Sequence, residues 1–197
     1  MDARGSGPPL EGRRTRLRTL VPADYDYLYA LATNEQISHR WQYRGATPSP
    51  EAFAQALWRN CLAQFIVEHK ETRQRIGHVT AYDASERHGW CRIAVAIDPA
   101  LSHQGWALES FALFFNYLFT TWNFRKLYGE MLEPAYADMA SGANRWFRVE
   151  GRLHEHEWYD GRYWDLILLA LHRDDWDREG RPLVEKLTRP VQPPIAP

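Results

Sequence analysis

The fold of this 197-residue chain is decided by the segment 93–110, which reads IAVAIDPALSHQGWALES. Its first five residues alternate aliphatic side chains with alanine, a period of two that predicts a β-strand. A turn containing Pro99 follows, and Gly105 opens a predicted amphipathic helix that ends near Asn123. Unpaired N–H groups and the positive dipole end make such a helix N-terminus a candidate phosphate cradle.

The segments on either side extend this unit into a mixed sheet. Alternating patterns predict strands at 14–20, 65–69, 76–82, 90–97, 126–132, 154–158 and 163–171. The strands from 65 to 97 form an antiparallel meander, and Asp160-Gly161 is a strong hairpin turn between the last two strands. Helices are predicted at 22–33, over a segment from Pro48 that carries Leu62, and at 136–146. The pattern favours an α+β fold, with a twisted, mostly antiparallel mixed sheet flanked by helices.

Length and composition indicate one globular domain. The chain has a mass of 23.1 kDa, with 45% hydrophobic and 25% charged residues, which excludes a disordered chain, a collagen and a coiled coil. The domain is expected over residues 10–178. Small, polar and proline-bearing ends predict flexible or extended tails at 1–9 and 179–197.

Charge and cysteine content exclude several kinds of partner. The net charge of −1 and a pI near 6.7 give no domain-wide basic surface for duplex nucleic acid. Two cysteines, Cys61 and Cys91, cannot build a disulfide framework, which favours a reducing compartment. No apolar signal core precedes residue 10, and the richest apolar stretch, 106–122, is shorter than the ~20 residues that span a membrane. We therefore expect a cytoplasmic protein without a membrane partner.

Seven short motifs, in this order of elements, resemble the GNAT superfamily of acyl-CoA-dependent N-acyltransferases. The resemblance extends from about Leu10 to Trp176, and it is strongest to the branch of ribosomal-protein N-terminal acetyltransferases. The motifs are Arg16-Leu17-Arg18, Ile76-Gly77, Ala94 to Pro99, Gly105 to Ser110, Arg125-Lys126-Leu127, Glu150-Gly151 and Tyr159 to Asp165.

The resemblance implies a cofactor cleft between the fourth and fifth strands of a GNAT fold. The donor would be acetyl-CoA or another acyl-CoA, with no metal. Backbone N–H groups at Val95, Ala96 and Ile97 would bind pantetheine and polarise the thioester carbonyl, which is oxyanion-type stabilisation. The pyrophosphate would lie against the turn formed by Ser102, His103, Gln104, Gly105, Trp106 and Ala107.

Several side chains depart from the family pattern. Ser102 stands where the family usually has Arg or Gln, Arg92 stands near the place of a catalytic Glu, and Gly142 replaces a Tyr that many members use as an acid. Two carboxylates at or just past the end of the fifth strand, Glu133 and Asp138, are the candidate replacements for acid–base work. Solvated loop carboxylates are the alternative interpretation of both.

Aromatic and basic residues predict the acceptor site. Trp41, Tyr43 and Arg44 lie where this fold usually closes over the acceptor, and they can stack on a substrate or pair with it. His78 and Tyr82 share one face of the middle strand and are further candidates. The alternative is that these aromatics pack a lid and that His78 and Tyr82 lie in the core or on the surface.

One other pattern invites a metal site. His154 and His156 share a strand face at a spacing that suits a common ligand, but no third ligand lies nearby in the sequence. We prefer a polar strand face.

The leading hypothesis is an N-acyltransferase, with acetyl as the expected acyl group. It acts on the primary amine of a small molecule or of a protein N-terminus, which attacks the thioester directly. Two alternatives stay open: a catalytically silent module that binds an acyl-CoA or an amine, and acyl transfer from a carrier protein or an aminoacyl-tRNA. Relatives in this superfamily are often dimeric, so a homodimer is expected.

Overall fold

The computed structural model describes residues 8–37, 43, 45–101, 105–139 and 146–189, with the backbone alone at 138 and 139. This part of the chain contains seven strands, six α-helices, two short 3-10 helices and one π-helical turn. The strands are β1 (Thr15–Arg18), β2 (Cys61–His69), β3 (Arg75–Ser85), β4 (Trp90–Ile97), β5 (Lys126–Leu132), β6 (Phe147–Tyr159) and β7 (Arg162–His172). The helices are α1 (Tyr25–Thr33), α2 (Pro50–Ala56), α3 (Trp106–Thr121), α4 (Glu133–Met139), α5 (Arg173–Asp175) and α6 (Arg181–Thr188).

All seven strands belong to one sheet, in the order β1-β2-β3-β4-β5-β7-β6. Neighbouring strands are antiparallel except β4 and β5, which are parallel. The β4–β5 pairing ends at Arg92 opposite Tyr128, although β4 continues to Ile97 and β5 to Leu132. The two strands therefore separate and leave a gap in the middle of the sheet. The predicted α+β fold, with a mixed, mostly antiparallel sheet and a cleft between the fourth and fifth strands, is confirmed.

Helices cover both faces of the sheet. On one face, α3 buries Leu113, Phe114 and Leu118 against aliphatic and aromatic residues of β1 to β4. On the other face, α1 and α2 pack a smaller cluster that includes Phe53 and Ile66. Burying a large apolar side chain contributes ~1.5–3 kcal/mol, so the two clusters fix how the helices lie on the sheet.

Glycine at position 77 allows β3 and β4 to lie close together. A Cβ atom built there would stand 2.2 Å from the carbonyl oxygen of Ala96. Any side chain would therefore push β4 away from β3 at the end of the strand that leads to α3.

The start of α3 is held by backbone geometry and by one buried carboxylate. Gly105 precedes the helix with φ of 72°, a left-handed conformation that favours glycine. One turn later, the carboxylate of Glu109 accepts hydrogen bonds from the backbone N–H groups of Arg14 and Thr15, at 2.8 and 3.0 Å. These bonds fasten the helix N-terminus to β1.

The arginines of β1 pair with buried carboxylates. Arg16 and Arg18 both donate to Glu68, and Arg18 and Arg75 both donate to Asp24, with all distances between 2.7 and 3.0 Å. Burial opposes ionisation of Asp24, but hydrogen bonds from Arg18 and from a backbone N–H group outweigh it and lower the pKa to about 2. Burial also opposes ionisation of Glu68, and its arginine partners lower that pKa too. We call these five residues the Asp24–Glu68 cluster.

Several boundaries differ from the sequence prediction: β6 begins at Phe147 rather than at 154, and α4 begins at Glu133 rather than at 136. The helix that begins at Pro50 ends at Ala56, so Leu62 lies on β2 rather than on the helix. Asn60, with φ of 54°, turns the chain between the two elements. The prediction of a flexible or extended tail over 179–197 is wrong for 181–188, because these residues form α6 and bury Val184 against the α3 side of the core.

No helix within the described ranges is long and apolar enough to cross a membrane.

Candidate functional site

A cavity of about 560 Å³ passes through the sheet at the gap between β4 and β5. Its wall includes residues of both separated strands, and these residues point to both faces of the sheet. They are Ile93, Ala94 and Val95 from β4, and Gly129, Glu130 and Met131 from β5. Cavities of this size hold most of a small ligand. The cavity has two compartments of different chemistry.

The compartment on the α3 side is apolar. Its wall includes Phe111 and Phe115 of α3 and Phe147 and Leu169 of the β6–β7 hairpin. The rings of Phe115 and Phe147 are in contact, with centroids 5.7 Å apart. Gly129 lies on β5 beside them, and a Cβ atom added there would meet no atom within 4 Å. The missing side chain leaves open space where the two strands separate, so an extended, mostly apolar arm fits there.

The compartment on the opposite face is polar. His78 lies in its wall and is buried, and its Nε2 is 3.0 Å from Oε1 of Gln64. Because the amide nitrogen of Gln64 donates to the carbonyl oxygen of Leu57, its Oε1 accepts from His78, which fixes the proton of that ring on Nε2. Burial lowers the pKa of His78 to about 4, so the imidazole is neutral near pH 7.

Two further predicted acceptor residues line the polar compartment. Tyr82 lies on the same strand face as His78, as its spacing predicts. Tyr43 packs against Phe53, with ring centroids 5.9 Å apart, and burial raises the pKa of its hydroxyl. That hydroxyl is buried without a hydrogen-bond partner among the described residues. Trp41 and Arg44 lie outside the described residues.

An arginine and a glutamate join the two strands across the gap. Arg92 on β4 forms an ion pair with Glu130 on β5, and the two side chains are 40% and 23% exposed. Glu130 lines the cavity and was not among the predicted site residues. The alternation of β5 could have indicated it, because every second residue from Lys126 points to the same face. The parallel pairing that places Arg92 beside it was not visible in the sequence.

The predicted donor residues lie along β4 and at the start of α3. One edge of β4 pairs with β3 at Val95, Ala96 and Ile97. The other edge of these residues faces the gap, because the pairing of β4 with β5 ends at Arg92. Val95 lines the cavity. Gly105, Trp106 and Ala107 form the entry to α3, where the Trp106 ring lies 5.2 Å from the ring of His69. Ser102, His103 and Gln104 lie outside the described residues.

The two predicted catalytic carboxylates belong to α4. Glu133 is the first residue of that helix, and its carboxylate is 2.6 Å from Arg152, which also contacts Asp165. Its side chain is 42% exposed, and it is not among the described residues that line the cavity. The side chain of Asp138 lies outside the described part of the chain.

Among the residues that the structure describes, no group of three or more His, Cys, Asp or Glu side chains could hold a metal ion. His154 instead lies 3.1 Å from Asp165 on the exposed hairpin.

Comparison with known proteins gives one family. The model of a family described as an acetyltransferase (GNAT) domain matches residues 14–134, more than half of the chain. No curated protein matches the sequence at a significant level.

Several solved structures share the fold. Spermidine N-acetyltransferase from Vibrio cholerae, solved in complex with CoA and spermine, is 21% identical, with a TM-score of 0.70 over 83% of this chain and 98% of that one. A dodecameric structure of the same enzyme in an intermediate state gives the same identity and TM-score over 84% and 98%. A chimera of that enzyme matches over 84% and 99%, again with a TM-score of 0.70.

Proposed function

This chain belongs to the GNAT acetyltransferase family, and on that premise we propose that it transfers the acetyl group of acetyl-CoA to the primary amine of a small molecule. The observation that carries the proposal is the cavity through the β4–β5 gap, apolar on the α3 side and polar on the other. A donor arm and a polar acceptor can approach the gap from opposite faces. The reacting atoms would meet between the two strands.

The donor fits the α3 side of the gap. Pantetheine is an extended chain, and the space beside Gly129, Phe111 and Phe115 accommodates such an arm. The backbone of Val95, Ala96 and Ile97 faces the gap, where N–H groups can bind pantetheine and polarise the thioester carbonyl. The pyrophosphate would lie at the turn of residues 102–107, against the N-terminus of α3.

The reaction is direct aminolysis. The amine nitrogen attacks the carbonyl carbon, the C–S bond breaks, and the sulfur leaves with the electron pair. Holding both substrates at the gap supplies much of the rate, because positioning replaces a bimolecular encounter. Glu133 and Asp138 stay predictions as acid and base, and the activities of E133Q and D138N test them.

A small acceptor is favoured by the residues of the polar compartment. His78, Tyr82 and Tyr43 provide a neutral imidazole and two phenols around a space of limited size. The Vibrio cholerae relative, which shares the fold, was solved with spermine, a small polyamine. A protein N-terminus, the acceptor of the branch that the sequence resembles, is the alternative that a peptide tests. We also expect a homodimer, to be measured by light scattering.

Calorimetric titration with acetyl-CoA and with desulfo-CoA tests the donor site. We expect stoichiometric binding at micromolar strength, about −8 kcal/mol. Gly129→Val should weaken binding at least tenfold with little change in melting temperature, because the added side chain fills the gap and its Cβ atom meets no protein atom within 4 Å. Gly151→Val is the control, since Gly151 lies on β6 outside the cavity and the three atoms nearest to a Cβ added there belong to the side chain of Leu168.

Release of free thiol in the presence of spermidine, 2-phenylethylamine or trialanine tests the acceptor. Turnover of either small amine supports the proposal, and turnover of trialanine alone would assign a protein N-terminus. Binding of neither CoA ligand would contradict the donor site and favour a carrier protein or an aminoacyl-tRNA as donor. Binding without any turnover would favour a silent binding module.

A further inference from the structure

The ion pair across the gap lies at the level where the reacting atoms must meet. The β4–β5 register places Arg92 opposite Tyr128, and continuing that register two residues places Ala94 level with Glu130. Arg92, Ala94 and Glu130 share the polar face of the sheet, because they alternate with Cys91, Ile93 and Leu127, which pack in the core on the α3 side. Ala94 and Glu130 both line the cavity.

Other carboxylates of the polar face are committed elsewhere. Glu68 and Asp24 are each held by two or more arginines, away from the cavity. Glu133 is paired with Arg152 outside the cavity. Among the described residues that line the cavity, only Asp83 and Glu130 are carboxylates, and Asp83 is exposed on β3, one residue past Tyr82. Glu130 is therefore the carboxylate closest to the separation of the strands.

We infer that Glu130 is a catalytic residue, the group that receives the proton of the acceptor amine, and that Arg92 is the positioning residue that holds it across the gap. This inference rests on the proposed function, since it assigns a base to the same site.

The proton and electron balance of the step is simple. An acceptor that arrives as an ammonium ion first binds opposite the Glu130 carboxylate. The nitrogen passes one proton to a carboxylate oxygen, and its electron pair attacks the thioester carbon. The new C–N bond forms as the C–S bond breaks, and the thiolate leaves. The remaining excess proton on the amide nitrogen is lost to solvent, and Glu130 releases its own proton through the open side of the cavity.

Glu130→Gln tests the assignment because it keeps the size of the side chain and an oxygen that can accept from Arg92. Using whichever of spermidine, 2-phenylethylamine and trialanine the wild type acetylates fastest, we expect kcat to fall about 10²-fold or more. Calorimetric affinity for acetyl-CoA should stay within twofold. The difference in kcat between wild type and Glu130→Gln should shrink as the pH rises from 6 to 9.5, because an amine that is already neutral needs no base.

Glu150→Gln is the matched control. Glu150 also pairs with a cation of β5, Lys126, but it lies on β6 away from the cavity, so this variant should keep wild-type turnover. A deficit in Glu130→Gln that stays constant with pH would mean a structural role and would overturn the inference.

Full activity of Glu130→Gln, or loss of activity in Glu133→Gln alone, would also overturn it while leaving the proposed function standing. A wild type that binds acetyl-CoA but acetylates none of the three amines would overturn both.

Discussion

The Asp24–Glu68 cluster and the Arg92–Glu130 pair use the same chemical groups for different ends. In the cluster, two carboxylates that are at most 5% exposed receive several guanidinium hydrogen bonds each. Across the gap, Arg92 pairs with Glu130, both side chains are partly exposed, and Glu130 lines the cavity. The cluster joins the β1 edge to the turn before α1, whereas the pair joins two strands that are separating.

The difference shows what distinguishes a structural carboxylate from one that can react. A buried carboxylate whose oxygens are all occupied by guanidinium groups has no room for a substrate, and losing its charge leaves those guanidinium groups without that partner. A partly exposed carboxylate that lines a cavity can exchange a proton with a ligand. Stability should therefore depend on the cluster, and turnover on the pair.

The largest expected effect on stability is that of Asp24→Asn. The amide cannot balance Arg18 and Arg75, so we expect the free energy of unfolding to fall by about 3 kcal/mol. Urea denaturation measures it, and kcat per folded molecule should not change. Glu130→Gln should cost less than about 1 kcal/mol by the same method. Equal losses of unfolding free energy in the two variants would contradict the view that stability depends on the cluster and not on the pair.

A smaller effect is expected from acid. The pKa of Asp24 is about 2 in the folded protein against 3.8 as its ordinary value, so the carboxylate stabilises the fold fully above pH ~4. As the pH falls towards 2 that contribution, roughly 2 kcal/mol, is lost. The free energies of unfolding of wild type and Asp24→Asn should therefore approach each other over this pH range.

His78 supplies an internal check on the acid experiment. Its lowered pKa means that the unfolded chain binds a proton below pH 6.5 while the folded chain does not until about 4. Stability should therefore fall in both proteins between pH 6.5 and 4, and the two curves should run parallel there. Convergence already in that range would assign the difference to a group other than Asp24.

The smallest expected effect is that of Arg92→Met. The variant keeps the packing of the aliphatic stem but releases Glu130 from its position, so kcat should fall about tenfold, equivalent to roughly 1.4 kcal/mol in the activation barrier. Affinity for acetyl-CoA should be unchanged. A loss as large as that of Glu130→Gln would show that Arg92 itself contacts the reacting atoms.

Much of the fold followed from local pattern. The strand 126–132 and the turn at Asp160-Gly161 could be predicted because alternation and turn chemistry are properties of neighbouring residues. Alpha6 was missed because its apolar residues, Leu183, Val184 and Leu187, are few and sit beside a proline-rich end. Only the α3 side of the core gives them a partner.

The candidate site was predictable in part for the same reason. His78 and Tyr82 could be predicted to lie together because they are an even number of residues apart on one strand and so share a face. Glu133 was predicted because it lies at or just past the end of its strand, whereas Glu130, within the strand, was not predicted. The sequence contains no sign that Arg152 and Asp165 would engage Glu133, or that Arg92 would reach Glu130.

By itself, the sequence determined the order of the elements, the strand–turn–helix unit at 93–110 and the α+β class, because each depends on residues close together in the chain. The tertiary structure decided where β4 and β5 separate, which side chains enter the gap and which carboxylates are buried among arginines. These features depend on contacts between residues tens of positions apart, such as Arg92 with Glu130, and no local pattern specifies them.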